Sequence, residues 1–187
     1  MHSLIIFASG TGTNAAAIIN YFKTNGKAKV ALIVSSKAEA GVLEIAKREE
    51  ISFLIINKQT FQETLLLEQL AEYKPSLIVL AGFLWKIPEA LVNAFPGKII
   101  NIHPALLPGY GGHGMYGHKV HHAVINAKEK ESGITIHYVN EAYDEGNIIM
   151  QARCKIEEQD TADTLASNIH KLEHFYFPRA IEFLLEQ

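Results

Sequence analysis

Leu4-Ile5-Ile6-Phe7-Ala8-Ser9-Gly10-Thr11-Gly12-Thr13-Asn14 begins as an apolar run and breaks into glycine, hydroxyl and carboxamide residues. A helical pattern follows, with Ala17, Ile18, Tyr21 and Phe22 on one stripe and Gly26 near its stop. Strand, glycine-rich turn and helix in that order make one βα unit. Glycine lets backbone approach a ligand closely, and the free N–H groups of a helix start attract anions. The turn is not GxGxxG and lacks the lysine of a P-loop, so two readings stand: a monophosphate site or a plain tight turn.

Working outward, the alternation repeats. Val30 to Val34 reads as a second strand, Ala40 to Glu50 as a helix and Phe53 to Ile56 as a third strand. Phe61 to Tyr73 reads as a helix with its apolar stripe at Leu65, Leu66 and Leu70. Leu77-Ile78-Val79-Leu80-Ala81 is the most apolar strand, and Pro88 suits the first turn of a short helix ending near Phe95. Near-continuous apolar strands between amphipathic helices predict a Rossmann-like α/β fold, a doubly wound, mostly parallel sheet covered on both faces. Gly133 to Val139 alternates as a strand with one apolar face. With the returning strand Ile148 to Ile156 it makes an antiparallel hairpin appended to the sheet. Thr161 to Leu185 closes the chain as a long helix, capped by Asp160 or Thr161, in which Pro178 should kink or split the rod.

The chemistry concentrates after a further apolar strand, in Asn101-Ile102-His103-Pro104-Ala105-Leu106-Leu107-Pro108. Side chains two apart on an extended chain share a face, so Asn101 and His103 project together from a C-terminal strand end, where open α/β sheets put ligands. An amide donor beside a titratable base suits a reaction that builds charge on a carbonyl oxygen while a proton moves. The bland alternative is a polar strand end before a turn. Residues 109–118 follow as a glycine-rich loop able to close over a site. His118 and His122 stand four apart on a helix, a spacing zinc could use, but no HExxH motif or third carboxylate ligand accompanies them, so no metal is expected.

The 187 residues are 48% hydrophobic and 20% charged, which predicts one soluble globular domain spanning 1–187. A net charge of −3 argues against a nucleic-acid partner. The lone Cys154 fits a reducing compartment, and neither a signal peptide nor a membrane span is apparent, so the expectation is a cytoplasmic protein with no membrane partner.

Taken together, Ser9 to Asn14, Leu80-Ala81-Gly82-Phe83, Asn101 to Pro108, Gly133 to Val139 and Tyr143-Asp144-Glu145-Gly146 resemble the phosphoribosylglycinamide formyltransferases, folate-dependent enzymes of purine synthesis. The Asn-x-His and Asp-x-Gly pair is shared by the wider 10-formyltetrahydrofolate formyltransferase group, while the Gly-x-Gly-Thr-Asn loop points to the glycinamide branch. The resemblance covers essentially the whole chain and implies the formyltransferase fold, with 10-formyltetrahydrofolate as co-substrate and small-molecule substrates only. It implies Asn101 as oxyanion donor, His103 as proton-transferring group and Asp144 as the carboxylate beside it, which would raise the His103 pKa. Gly12, Thr13 and Asn14 would hold the ribonucleotide phosphate and Glu173 the glycinamide. Leu84, Trp85, Lys86 and Ile87, with Asn101, Asn140, Glu141, Ala142, Tyr143 and Asp144, would line the folate pocket. A homodimer is left open.

The chain also departs from that pattern. Gly109 stands where a basic residue is common, Gln62, Glu63 and Thr64 stand where a folate-contacting arginine is usual, and Trp85-Lys86 is atypical at the pocket rim. Competing readings are a formyltetrahydrofolate deformylase, a methionyl-tRNA formyltransferase and a non-catalytic nucleotide-binding module. The deformylase usually has a further N-terminal domain. The tRNA enzyme would need another C-terminal domain and a basic surface. The binding module leaves Asn101, His103 and Asp144 as coincidence.

Overall fold

The computed structural model describes residues 1–187. The parallel part runs β1 (His2–Phe7), α1 (Thr13–Asn25), β2 (Ala28–Ser35), α2 (Gly41–Arg48) and β3 (Ser52–Ile55). It continues with α3 (Thr64–Glu72), β4 (Leu77–Leu80), α4 (Glu89–Ala94) and β5 (Ile99–His103). After α5 (His118–Asn126), the hairpin of β6 (Glu131–Tyr138) and β7 (Ile148–Lys155) and the long α6 (Ala162–Leu185) complete the chain. The seven strands lie in the order β3-β2-β1-β4-β5-β6-β7, parallel through β5 and antiparallel beyond it. The strand order reverses direction around β1, which aligns the C-terminal ends of β1, β4 and β5 along one edge.

Two cores explain the lack of polar alternation in the central strands. Leu4 and Ile6 of β1 enter one core with Ile18 and Phe22 of α1 and Phe177 of α6, while Ile5 and Phe7 enter the other with Leu66 and Leu70 of α3. A strand sandwiched this way needs apolar residues on both faces.

Three expectations change. The segment after Phe61 starts with a 3-10 turn at Thr60–Gln62, and α3 begins only at Thr64. Its inner face is therefore Leu66 and Leu70, and Leu65 is 57% exposed. Pro178 does not split α6, which runs unbroken for 24 residues. The ring is buried, and packing against α1, α5 and the hairpin holds the rod together despite one missing N–H. Nor does β6 expose a polar face: Ser132 to His137 are all buried. β3 is the opposite case, an edge strand that leaves Phe53 and Ile55 exposed although its sequence is apolar.

Candidate active site

The turn after β1 ends at Gly12, whose φ of 83° starts α1 in the left-handed region. A Cβ there would lie 2.8 Å from the Val42 backbone, so only glycine fits between α1 and α2. No side chain caps this helix start, and the first intrahelical bond is Ala16 N–H to the Gly12 carbonyl at 2.9 Å. The N–H groups of Thr13, Asn14 and Ala15 are thus left for a ligand. The Asn14 side chain reaches across to α6 and donates from Nδ2 to Glu173 Oε2 at 2.9 Å. Glu173 is 6% exposed, and burial pushes its carboxyl up to about 7, with Asn14 pulling the other way.

At the end of β5, Asn101 and His103 point into the same cavity. The turn beyond β6 returns Asp144 between them, held at a φ of 56°. Asn101 Nδ2 lies 3.4 Å from Asp144 Oδ1, and His103 Nδ1 lies 3.5 Å from Asp144 Oδ2. The antiparallel register sets His137 opposite Asn101 and Thr135 opposite His103. His137 Nδ1 lies 2.9 Å from the Tyr138 carbonyl and so carries the hydrogen. In the neutral ring Nε2 then accepts from Asn101 Nδ2, at 3.1 Å. This fixes the carboxamide with its NH₂ toward both His137 and Asp144. His137 is a site residue that sequence reasoning missed. Its only signal was a histidine on the polar side of a strand, and pairing with Asn101 shows that side to be a site wall.

The glycine-rich loop closes the arrangement from above. His103 Nε2–H donates to the Tyr110 carbonyl at 2.8 Å, and Gly112 N–H donates to Asp144 Oδ2 at 3.0 Å. The neutral His103 ring therefore presents its Nδ1 lone pair on the Asp144 side. The expected rise in the His103 pKa is overturned. Burial lowers it below the ordinary histidine value, outweighing the Asp144 charge and the Tyr110 hydrogen bond, which raise it. For Asp144 burial raises the carboxyl, but a hydrogen bond from His137 and the charge of His103, each in its protonated form, together with Gly112 N–H, hold it below the usual carboxylate range.

These groups line one cavity of about 450 Å³, a volume within the range of small-molecule sites. Gly12, Thr13, Asn14 and Glu173 form one part of its wall, the trio another, and Leu84 and Gly112 to Gly117 also face it. A hollow of about 60 Å³ adjoins it, sharing Phe83, Asn101, Tyr143 and Asp144. Trp85, Lys86, Ile87, Asn140 and Ala142 line that hollow, whereas Glu141 is exposed and lines neither. The Trp85 ring packs on Phe61 and Phe83, at 5.6 and 5.9 Å between centroids. His118 and His122 lie on α5 with ring centroids 6.3 Å apart, and no three His, Cys, Asp or Glu side chains converge to hold a metal. No helix is long and apolar enough to cross a membrane.

The family model described as formyl transferase matches residues 2–181. The phosphoribosylglycinamide formyltransferase of Bacillus subtilis is 39% identical over 99% of this chain and 95% of its own. The crystal structure of phosphoribosylglycinamide formyltransferase from Bacillus halodurans superposes with a TM-score of 0.89 at 37% identity, over 99% of this chain and 96% of that one. A formyltetrahydrofolate deformylase from Pseudomonas syringae has a TM-score of 0.87 but 20% identity, over 99% of this chain and 61% of that one, which makes it a likeness of fold. With the family model matched over residues 2–181 and relatives 37–39% identical over nearly the full length of both chains, the chain belongs to the formyl transferase family, alongside the phosphoribosylglycinamide formyltransferases.

Proposed function

We propose that this protein transfers the formyl group of 10-formyltetrahydrofolate to the amine of phosphoribosylglycinamide. The products are formylglycinamide ribonucleotide and tetrahydrofolate, in purine synthesis and in the cytoplasm. The observation that carries the reading is Asp144 bridging Asn101 and His103 in the cavity that also holds the free helix start at Thr13. The ribonucleotide phosphate binds at Gly12 to Asn14, and Glu173 contacts the glycinamide end. The pteridine lies against Phe83, Ile87 and the backbone of Asn140 to Asp144.

The substrate amine attacks the formyl carbon, forming a C–N bond and an oxyanion. Asn101 Nδ2 donates to that oxygen, exchanging its long bond to Asp144 for a charged acceptor, an interaction worth roughly 3–4 kcal/mol in comparable sites. His103 Nδ1 takes the proton leaving the amine, and Asp144 stabilises the imidazolium. The same proton passes to the folate nitrogen as the formyl carbon's bond to that nitrogen breaks. The substrate amine is itself the nucleophile, so no acyl-enzyme forms.

A deformylase would use water as acceptor and has no need of the helix start at Thr13. Mixing the protein with both substrates and following tetrahydrofolate separates the two. Formation dependent on phosphoribosylglycinamide supports the transferase; equal formation with the folate alone refutes it.

A further inference from the structure

His121 lines the main cavity from α5, is 3% exposed, and has no place in the steps above. Its Nδ1 is sealed from solvent and has no hydrogen-bond partner. A buried N–H without a partner is rarer and costlier than an unshared lone pair, so the hydrogen of the neutral ring belongs on Nε2. Nε2 is the nitrogen left to face the cavity. Burial and the nearby rings of His118, His170, His122 and His103 push the pKa down to about 4, so the ring is uncharged at neutral pH. His121 shares the cavity wall with Glu173, which is bonded to Asn14, and with His103 at the reacting centre, so it faces the stretch between the phosphate and the amine. Of the groups a bound ribonucleotide places there, the amide carbonyl beside the amine only accepts hydrogen bonds.

Resting on phosphoribosylglycinamide as the substrate, we propose that His121 is a binding residue whose Nε2–H donates to the glycinamide carbonyl oxygen. An uncharged donor suits the place, because a cation there would oppose the imidazolium that His103 must form.

The test is calorimetric binding to three variants of the full chain, alongside steady-state kinetics. His121→Phe should weaken phosphoribosylglycinamide binding about tenfold, as expected for one neutral hydrogen bond in a closed site. Binding of ribose 5-phosphate and the KM for 10-formyltetrahydrofolate should not change. His121→Gln, whose amide nitrogen reaches as far as Nε2, should restore most of the affinity. His121→Asn, which reaches only as far as Nδ1, should not, and this pair decides the matter if the Phe variant does not fold. Equal losses for ribose 5-phosphate, normal binding by the Phe or Asn variant, or failure of a folded Gln variant to recover would each overturn the assignment. A wild type that binds ribose 5-phosphate but not phosphoribosylglycinamide would instead remove the substrate reading, and this proposal with it.

Discussion

Asp144 is the carboxylate within reach of both His103 and His137, and its charge raises the proton affinity of His103 against the larger effect of burial. In the wild type His103 should titrate below the free value of ~6.5, because burial outweighs that charge. Asp144→Asn removes a contribution that raises the His103 pKa, so the ring should titrate lower still and turnover should drop by roughly 100-fold or more. An NMR titration of His103 in both proteins reads this directly; an unmoved pKa with turnover intact would exclude Asp144 from the mechanism. At the other end, Gly12 is a poor target because any side chain meets Val42. Thr13→Asp is the better probe, since an acidic residue in a first helical turn favours the helix but repels a phosphate. The ribonucleotide KM should rise at least about tenfold, for two anions at such range, with the folate KM unchanged. Asn101 and His103 were legible as a pair from their spacing, whereas Asp144, on its own a turn aspartate, was legible only through the resemblance; the structure brings the three together. The direction in which the His103 pKa moves was not, since a sequence names a charged neighbour but does not report burial. His121 and His137 were illegible for a related reason: neither the helix nor the strand that carries them shows in sequence which side faces the cavity.

Among the elements, the strand–helix alternation was legible because both-face burial leaves uninterrupted apolar runs. What misled was local. The apolar sequence of β3 reads as buried, yet the strand lies at the sheet edge, and sheet order is a non-local property. The glycine-rich loop carries its own prediction. Its Tyr110 carbonyl and Gly112 N–H bond to His103 and Asp144, so ordering the loop and ordering the trio are one event. Protease cleavage between Tyr110 and Tyr116 should be suppressed when both substrates saturate the enzyme. Cleavage at an undiminished rate would mean that the loop does not close over them.

Across the whole molecule, Glu173 couples folding to pH. Its folded-state value of about 7 lies above the unfolded carboxyl value near 4.5. The folded protein therefore binds this proton more tightly. That stabilisation is complete below pH ~4.5 and is lost as pH rises toward ~7, at about 1.4 kcal/mol for each pH step between the two values. His121 opposes it, because a lowered histidine value makes stability rise with pH between about 4 and the free value of ~6.5. Glu173→Gln deletes the falling contribution alone, so the variant's melting temperature should climb more steeply than the wild type's from pH 4.5 to 7. Parallel melting curves would show that Glu173 is not held protonated.

The short outer strand β3 carries a different kind of consequence. Phe53 and Ile55 stand two apart, on one side of a strand with an unpaired edge, and they are 41% and 46% exposed. The opposite edge, β7, exposes Ile148 at one end but also displays Arg153 and Lys155, charges that discourage another chain from adding to the sheet. The unpaired edge and the exposed pair make β3 a place for association at high concentration to begin. Phe53→Lys should raise the concentration at which light scattering stays monodisperse and leave kcat unchanged. Phe53 and Ile55 lie outside the cavity lining, so a change there probes association apart from the chemistry.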